Sequence, residues 1–269
     1  MKLNLKKYFA LTRAGILEFM QWRIALAVMV FGNILYLILI YFLWKAIFAS
    51  ADTDVINGMT FETTMIYLVL ATALYNFVEM YIVWEIGRNI QSGKIVLDLL
   101  RPFRYKSYLF WSYSGSLIVH YVATFIPTFV IVAIVTKGTI AMGLNLLYFF
   151  IAVLLAMVIN YNINFFVGAI CLYTESIWGI NIMKQVIVSL LSGATIPLAF
   201  FPDGFRHVLD FMPFGSIFDT PLTLLLDSSA NFDKAVHGLL ISLMWAIITS
   251  AISELFWKVS IRQVTVNGG

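Results

Sequence analysis

Charge is scarce in this sequence. Asp, Glu, Lys and Arg make up 12% of its 269 residues, about half the roughly 25% of an average soluble domain. Hydrophobic residues make up 61%, and the mean hydropathy is +0.92. A water-soluble fold of this length cannot hide so much apolar surface in one core. That excludes a soluble enzyme and, equally, a disordered chain. Cysteine is nearly absent as well. Cys171 stands alone, so no intrachain disulfide can form and a disulfide scaffold is excluded. It lies in an apolar run and reads as a small buried hydrophobe.

Familiar catalytic and metal motifs are missing too. There is no GxxxxGK[ST] phosphate loop, so ATP is not expected to bind this chain by that route. Neither HExxH nor a paired-cysteine metal motif occurs. His120, His207 and His237 are far apart, and His120 reads as a hydrogen-bonded packing residue within an apolar run. No GxSxG elbow accompanies the serines. We therefore expect no catalytic residue, no metal site and no nucleic-acid partner.

What the sequence has is long apolar runs. About 20 apolar residues cross a bilayer as a helix, and these runs are too continuous for alternating barrel strands. Spans are expected at 24–44, 64–84, 108–135, 144–172, 178–200 and 235–257, the third and fourth long enough to tilt. The expected fold is thus an all-α integral membrane protein with six transmembrane helices, a single transmembrane domain over 1–269. Residues 1–23 lack the short apolar core and cleavage site of a signal peptide. There Leu3, Leu5, Tyr8, Phe9, Leu11, Ile16, Phe19 and Met20 alternate with Lys2, Lys6, Lys7, Arg13 and Arg23. The pattern predicts a basic amphipathic interfacial helix in the headgroup plane, or one packed on other protein.

Lys and Arg set the orientation. The amino-terminal segment holds Lys2, Lys6, Lys7, Arg13 and Arg23; the loop after the second span holds Arg88, Lys94, Arg101, Arg104 and Lys106; the tail holds Lys258 and Arg262. The other side holds only Lys45, Lys137, Arg206 and Lys234, beside acidic Asp52, Asp54, Glu62, Asp203, Asp210, Asp219, Asp227 and Asp233. Both termini are therefore expected in the cytoplasm. Trp22, Trp44, Trp84, Trp111, Trp178 and Trp257 fall near span ends, where interface anchors belong.

The cytoplasmic loop, 85–106, carries the most information. Glu85 and Arg88 share a helix face and can pair. Gly93 permits a sharp turn. Ile95–Leu100 forms a short amphipathic element with Ile95, Val96, Leu99 and Leu100 as its apolar side and Asp98 as its polar partner, ended by Pro102. Such an element suits docking into a soluble partner's groove; equally, a basic loop suits contact with anionic membrane lipid.

On the outer side, 201–234 is too apolar for a free loop and too interrupted by Pro202, Pro213 and Pro221 for a span. It predicts short re-entrant helices between spans five and six, serving as a gate or as a cap on the bundle. Buried polar groups are costly in lipid. Glu79, Lys184 and Glu254 are the intramembrane charge candidates, and Lys184 can be neutralised by Glu175, Glu254 or Glu79. Asn160, Asn162 and Asn164, at alternate positions, cannot all face one way on a helix.

The motifs Glu85-x-x-Arg88, Gly93, Asp98–Leu99–Leu100 and Arg101–Pro102 resemble the loop between the second and third spans of the ABC type-2 exporter permease family. A second stretch is similar to that family's series after span five: Ser192–Gly193, Pro197, Phe201–Pro202 and Met212–Pro213–Phe214, with Met where Leu is common. The nearest subgroup is the bacterial viologen-exporter-like permeases. The resemblance implies that Glu85, Arg88, Gly93, Asp98, Leu99, Leu100, Arg101 and Pro102 form a coupling helix. It docks on two separate ABC ATPase subunits, which hold the ATP and Mg, so this chain carries no cofactor. It also implies a second permease subunit, identical or related, and a bacterial inner membrane. The resemblance implies export, and the 23 Phe and 13 Tyr lead us to expect an amphipathic cargo, drug, peptide or lipid-like, with Asn160, Asn164, Pro197, Phe200, Phe201, Pro202 and Phe214 as candidate gate or pathway residues. The alternatives are an ATPase-independent secondary transporter or channel, for which only Lys184 offers a mid-membrane coupling site, and an intramembrane enzyme, for which no converging groups are found.

Overall fold

A computed structural model describes residues 5–51, 53–136, 143–174, 177–226 and 232–263. Lys2, Asp52, Lys137, Glu175 and Asp227, part of the charge pattern above, lie outside them. In lipid every backbone N–H and C=O must be bonded within its own segment, which drives apolar runs into helices. Helix α1 (Leu5–Gln21) meets α2 (Arg23–Ser50) at the non-helical Trp22. Strands β1 (Val55–Ile56) and β2 (Met59–Thr60) then pair antiparallel, Val55 opposite Thr60. Asn57 and Gly58 between them both take positive φ, the tight hairpin turn. Thr60 and Thr63 form a reciprocal cap that starts α3 (Phe61–Val78).

The chain continues through α4 (Ile82–Gln91), α5 (Ile95–Leu99) and α6 (Tyr105–His120). A π-helical turn, Tyr121–Phe125, leads into α7 (Ile126–Val135). Pro127 accounts for it: the ring lacks an N–H and crowds the carbonyl four residues back, at Ala123, so the turn widens. Then come α8 (Leu144–Ile170), α9 (Ile177–Leu191), a 3-10 turn Leu198–Phe200, α10 (Asp203–Asp210), α11 (Asp219–Leu226) and α12 (Phe232–Ser260).

Among the described residues, five stretches are long and apolar enough to cross a membrane: Ile24–Ser50, Phe61–Gln91, Tyr105–Val135, Leu144–Ile170 and Phe232–Ser260. The chain is an all-α, multi-pass membrane protein. The stretch 178–200, expected as one span, is not one helix. Its helix, α9, has 15 residues, about 22 Å against a hydrocarbon core of about 30 Å. It stops because Gly193 takes a left-handed φ of 85° and Pro197 offers no donor.

Helix α3 is the hub, with α2, α6, α7, α8 and α11 around it and Leu70, Ala71, Leu74 and Val78 fully buried. Helices α8 and α12 share the longest interface. Small buried residues on both helices, Ala152 and Ala156 on α8 and Ser242, Ala246 and Ser253 on α12, let the backbones approach. Trp44 and Trp257 are buried packing residues rather than interface anchors: Trp44 lies 4.5 Å from the Phe200 ring, and Trp257 stacks on Tyr105 at 5.1 Å.

Helix α1 is docked on α6. Thr12 Oγ1 donates to the Trp111 carbonyl at 3.0 Å, and Tyr8 packs on Trp111. Gly15 and Gly115 face each other so closely that a Cβ on Gly115 would collide with the Thr12 carbonyl oxygen. Gly115→Val should therefore pry α1 from α6 at a cost of about 1–3 kcal/mol. Faster tryptic cleavage at Lys6, Lys7 and Arg13 is the readout; an unchanged cleavage rate would contradict this packing.

Candidate functional site

The second span breaks at Glu79. Helix α3 ends at Val78, Glu79 is extended (ψ 123°), and α4 begins at Ile82. A break at this depth needs substitute partners for the freed backbone. Asn160 on α8 supplies one, its Nδ2 donating to the Val78 carbonyl at 3.1 Å. The same amide donates to Glu79 Oε2 at 3.0 Å. Lys184 on α9 donates to Glu79 Oε1 at 2.6 Å and to Asn164 Oδ1 at 2.8 Å. Asn164 Nδ2 returns to the Asn160 carbonyl at 2.9 Å. Of the three carboxylates considered for Lys184, Glu79 is the one it bonds. Glu254 instead lies 3.6 Å from Lys258 on its own helix, and Glu175 is outside the described residues.

The three asparagines divide by helix face. Asn160 and Asn164, one turn apart, point at the break and are fully buried. Asn162 points the other way, donating to Ser250 Oγ at 2.8 Å and accepting from Ser253 Oγ at 2.9 Å.

Below the break the chain forms a stapled helix–turn–helix. Gly93 turns at a left-handed φ of 70° between α4 and α5. Asn89 Nδ2 donates to Glu85 Oε1 at 3.1 Å and to Asp98 Oδ2 at 2.9 Å, tying the two helices together. Arg101 Nε lies 3.0 Å from Asp98 Oδ1, and its guanidinium covers the Tyr108 ring at 4.7 Å. Arg88 and Glu85 pair at 3.4 Å on the exposed side. Asp98 is only 3% exposed. It is thus not the solvent-side partner of an Ile95, Val96, Leu99 and Leu100 face. Ile95 and Asp98, three apart, share the inward face, while Leu97 and Leu100 stand out at 64% and 77% exposure. Val96 and Leu99 are half-buried, and Pro102 lies in the bend beyond α5.

Two chambers meet at the break. The lower, about 580 Å³, is lined by Glu18, Trp22, Glu79, Glu85, Tyr113 and His120 among others. The upper, about 520 Å³, is lined by Asn33, Tyr36, Thr72, Asn76, Ser189 and Thr195. Met29 and Tyr81 line both, so the two chambers adjoin beside α2 and the broken span, a pair referred to below as the cleft. Asn160 and Asn164 line neither chamber. His120 Nδ1 bonds the Ser116 carbonyl oxygen at 2.9 Å, and its ring packs on Phe19.

Above the cleft, Phe200 packs on Trp44 and Phe48, and Phe201 on Phe205 at the start of α10, which Pro202 caps. Pro197 begins the 3-10 turn, and the half-buried Phe214 lies in the turns before α11. The Asp219 N–H donates to the Ser192 carbonyl at 3.1 Å, and Tyr67 Oη donates to Asp219 Oδ1 at 3.2 Å. Burial pushes the Asp219 carboxyl up from 3.8 to about 6, against the opposing pull of the Tyr67 hydroxyl and the Arg206 charge.

Sequence reasoning missed Asn89, Leu97 and the Tyr67–Asp219 bond. Asn89, four residues after Glu85, was readable as a helix-face partner; the inward turn of Asp98 depends on the fold around Gly93.

A model of the ABC-2 family transporter protein matches residues 34–268. No curated protein matches the sequence significantly.

Removing one half of a buried ion pair leaves the other charge stranded. Lys184→Met alone should cost about 3–5 kcal/mol, and Lys184→Met with Glu79→Gln should recover most of it, read as unfolding midpoints in detergent; additive losses would show that the two do not act as a pair. For Asp219 the folded-state pKa lies above the unfolded value. Its protonated form therefore favours the fold fully below about pH 4, and that advantage is lost as pH rises through about 6. Asp219→Asn should gain in melting temperature relative to the native protein between pH 4 and pH 7; a constant difference would contradict the shift.

Proposed function

The chain belongs to the ABC-2 transporter family, and from that premise we propose that it works as the permease of an ATP-driven exporter. Permeases of this family are not themselves ATPases and associate with ABC ATPase partners. In our reading two permeases, identical or related, pair side by side over two ATPase subunits that hold ATP and Mg, in a bacterial inner membrane with both termini in the cytoplasm. The α9 segment with residues 192–200 completes a sixth crossing.

The observation that carries this reading is the α4–α5 hairpin. It is stapled from behind by Asn89, Asp98 and Arg101, and presents two apolar knobs, Leu97 and Leu100, outward. A rigid element with exposed apolar knobs transmits force; a loose one absorbs it. Exposed leucines on such a hairpin fit a groove on a soluble partner. A displacement of the hairpin reaches Glu79–Tyr81 through α4, and so reaches the cleft. An amphipathic substrate enters the lower chamber, where Glu18, Glu85 and aromatic rings offer polar and apolar contacts side by side, and leaves past Phe200, Phe201, Pro202 and Phe214.

Leu97→Ser with Leu100→Ser removes both knobs without touching the staple. Two central apolar anchors lost should weaken co-purification of the ATPase at least about tenfold, with the melting temperature unchanged. Undiminished co-purification would reject the docking role.

A further inference from the structure

The cytoplasmic end of α12 carries charge that the coupling hairpin does not use. A cavity of about 450 Å³ opens there, between Leu99, Arg104, Tyr105 and Lys106 on one side and Glu254, Trp257, Lys258, Ile261 and Arg262 on the other. Four cations face a single carboxylate, Glu254, which lies 3.6 Å from Lys258. Lys106 makes its hydrogen bonds to neutral groups, Ser253 Oγ at 2.6 Å and the Ser250 carbonyl at 3.3 Å, lies over the face of the Phe165 ring, and is attracted by the nearby Glu254 charge. Arg104 and Arg262 are exposed, and their guanidinium groups have no hydrogen-bond or ion-pair partner among the described residues.

The surroundings select among anions. The cavity sits where two apolar stretches, Tyr105–Val135 and Phe232–Ser260, end. Its wall is the buried stacked pair Tyr105–Trp257, an apolar backing for the cations around it. The same turns of α12 carry exposed Leu255 and Val259, an apolar surface for acyl chains. Arginine forks match phosphate oxygens in pairs, and Lys106 adds a fixed point charge.

We propose that this cavity is a binding site for the headgroup phosphate of an anionic phospholipid, clasped between the hairpin's exit at Arg104 and the end of α12. A free phosphate shares the head chemistry but lacks the tails. An acidic protein surface shares the charge but would need no apolar flank.

The test uses the full-length protein in neutral detergent, offered equal amounts of phosphatidylglycerol and phosphatidylcholine, with bound lipid read by native mass spectrometry. Phosphatidylglycerol should be retained over phosphatidylcholine, and Arg104→Gln with Arg262→Gln should reduce its retention at least about tenfold. Both guanidinium groups are unbonded, so the melting temperature should hold. Lys7→Gln with Arg13→Gln, removing two exposed cations on α1, should leave retention intact. Equal retention of the two lipids would overturn the proposal, and so would equal loss in both variants, the mark of diffuse charge. Displacement of the lipid by inorganic phosphate in large excess would assign the site to a free anion. Unchanged lipid retention with reduced ATPase co-purification would assign it to a protein surface.

Discussion

Two opposite charges taken out of water together hold this structure in place. Glu79 and Lys184 are each too costly to bury alone, and each lies on an element that would be poorly fixed without the other. Glu79 sits on a non-helical joint, and Lys184 on a helix of 15 residues. Their bond, with Asn160 and Asn164 completing it, fastens α9 and α8 to the point where α3 gives way to α4. The break exists because its freed carbonyl has a partner, and the partner is positioned because the break exists.

From that joint downward the chain trades apolar packing for polar fastening. Helix α4 follows the joint, Gly93 turns the chain, and one asparagine amide bonds Glu85 on its own helix and Asp98 across the turn. The result is a short lever on a fixed pivot. Tyr81, beside the pivot, lines both chambers, so the lever and the cleft share a residue. In the proposed cycle this is where a push from a soluble motor becomes a change in the shape of a membrane cavity.

Much of this was legible in the sequence, for identifiable reasons. Long apolar runs with little charge mark membrane helices whatever their partners, so α2, α8 and α12 were read close to their true extents. Glu85, Gly93 and Arg101 mark the hairpin by local chemistry. What the sequence concealed is set by tertiary contacts. The break at Glu79 depends on Asn160, 81 residues away, and no local breaker signals it. The inward turn of Asp98 depends on Asn89 across a bend. The early end of α9 is the reverse case: Gly193 and Pro197 were visible, but an apolar composition hid their effect.

Helix α2 is held unequally along its length. Toward its carboxyl end Ile40 and Trp44 are buried, and the Asn57–Gly58 hairpin precedes α3. At its amino end Ile24 and Val28 are exposed, and the link to α1 runs through the non-helical Trp22. In the proposed cycle the looser amino end of α2 is where the cleft would open, so the chamber with the acidic lining would be crossed before the hydroxyl- and amide-lined one.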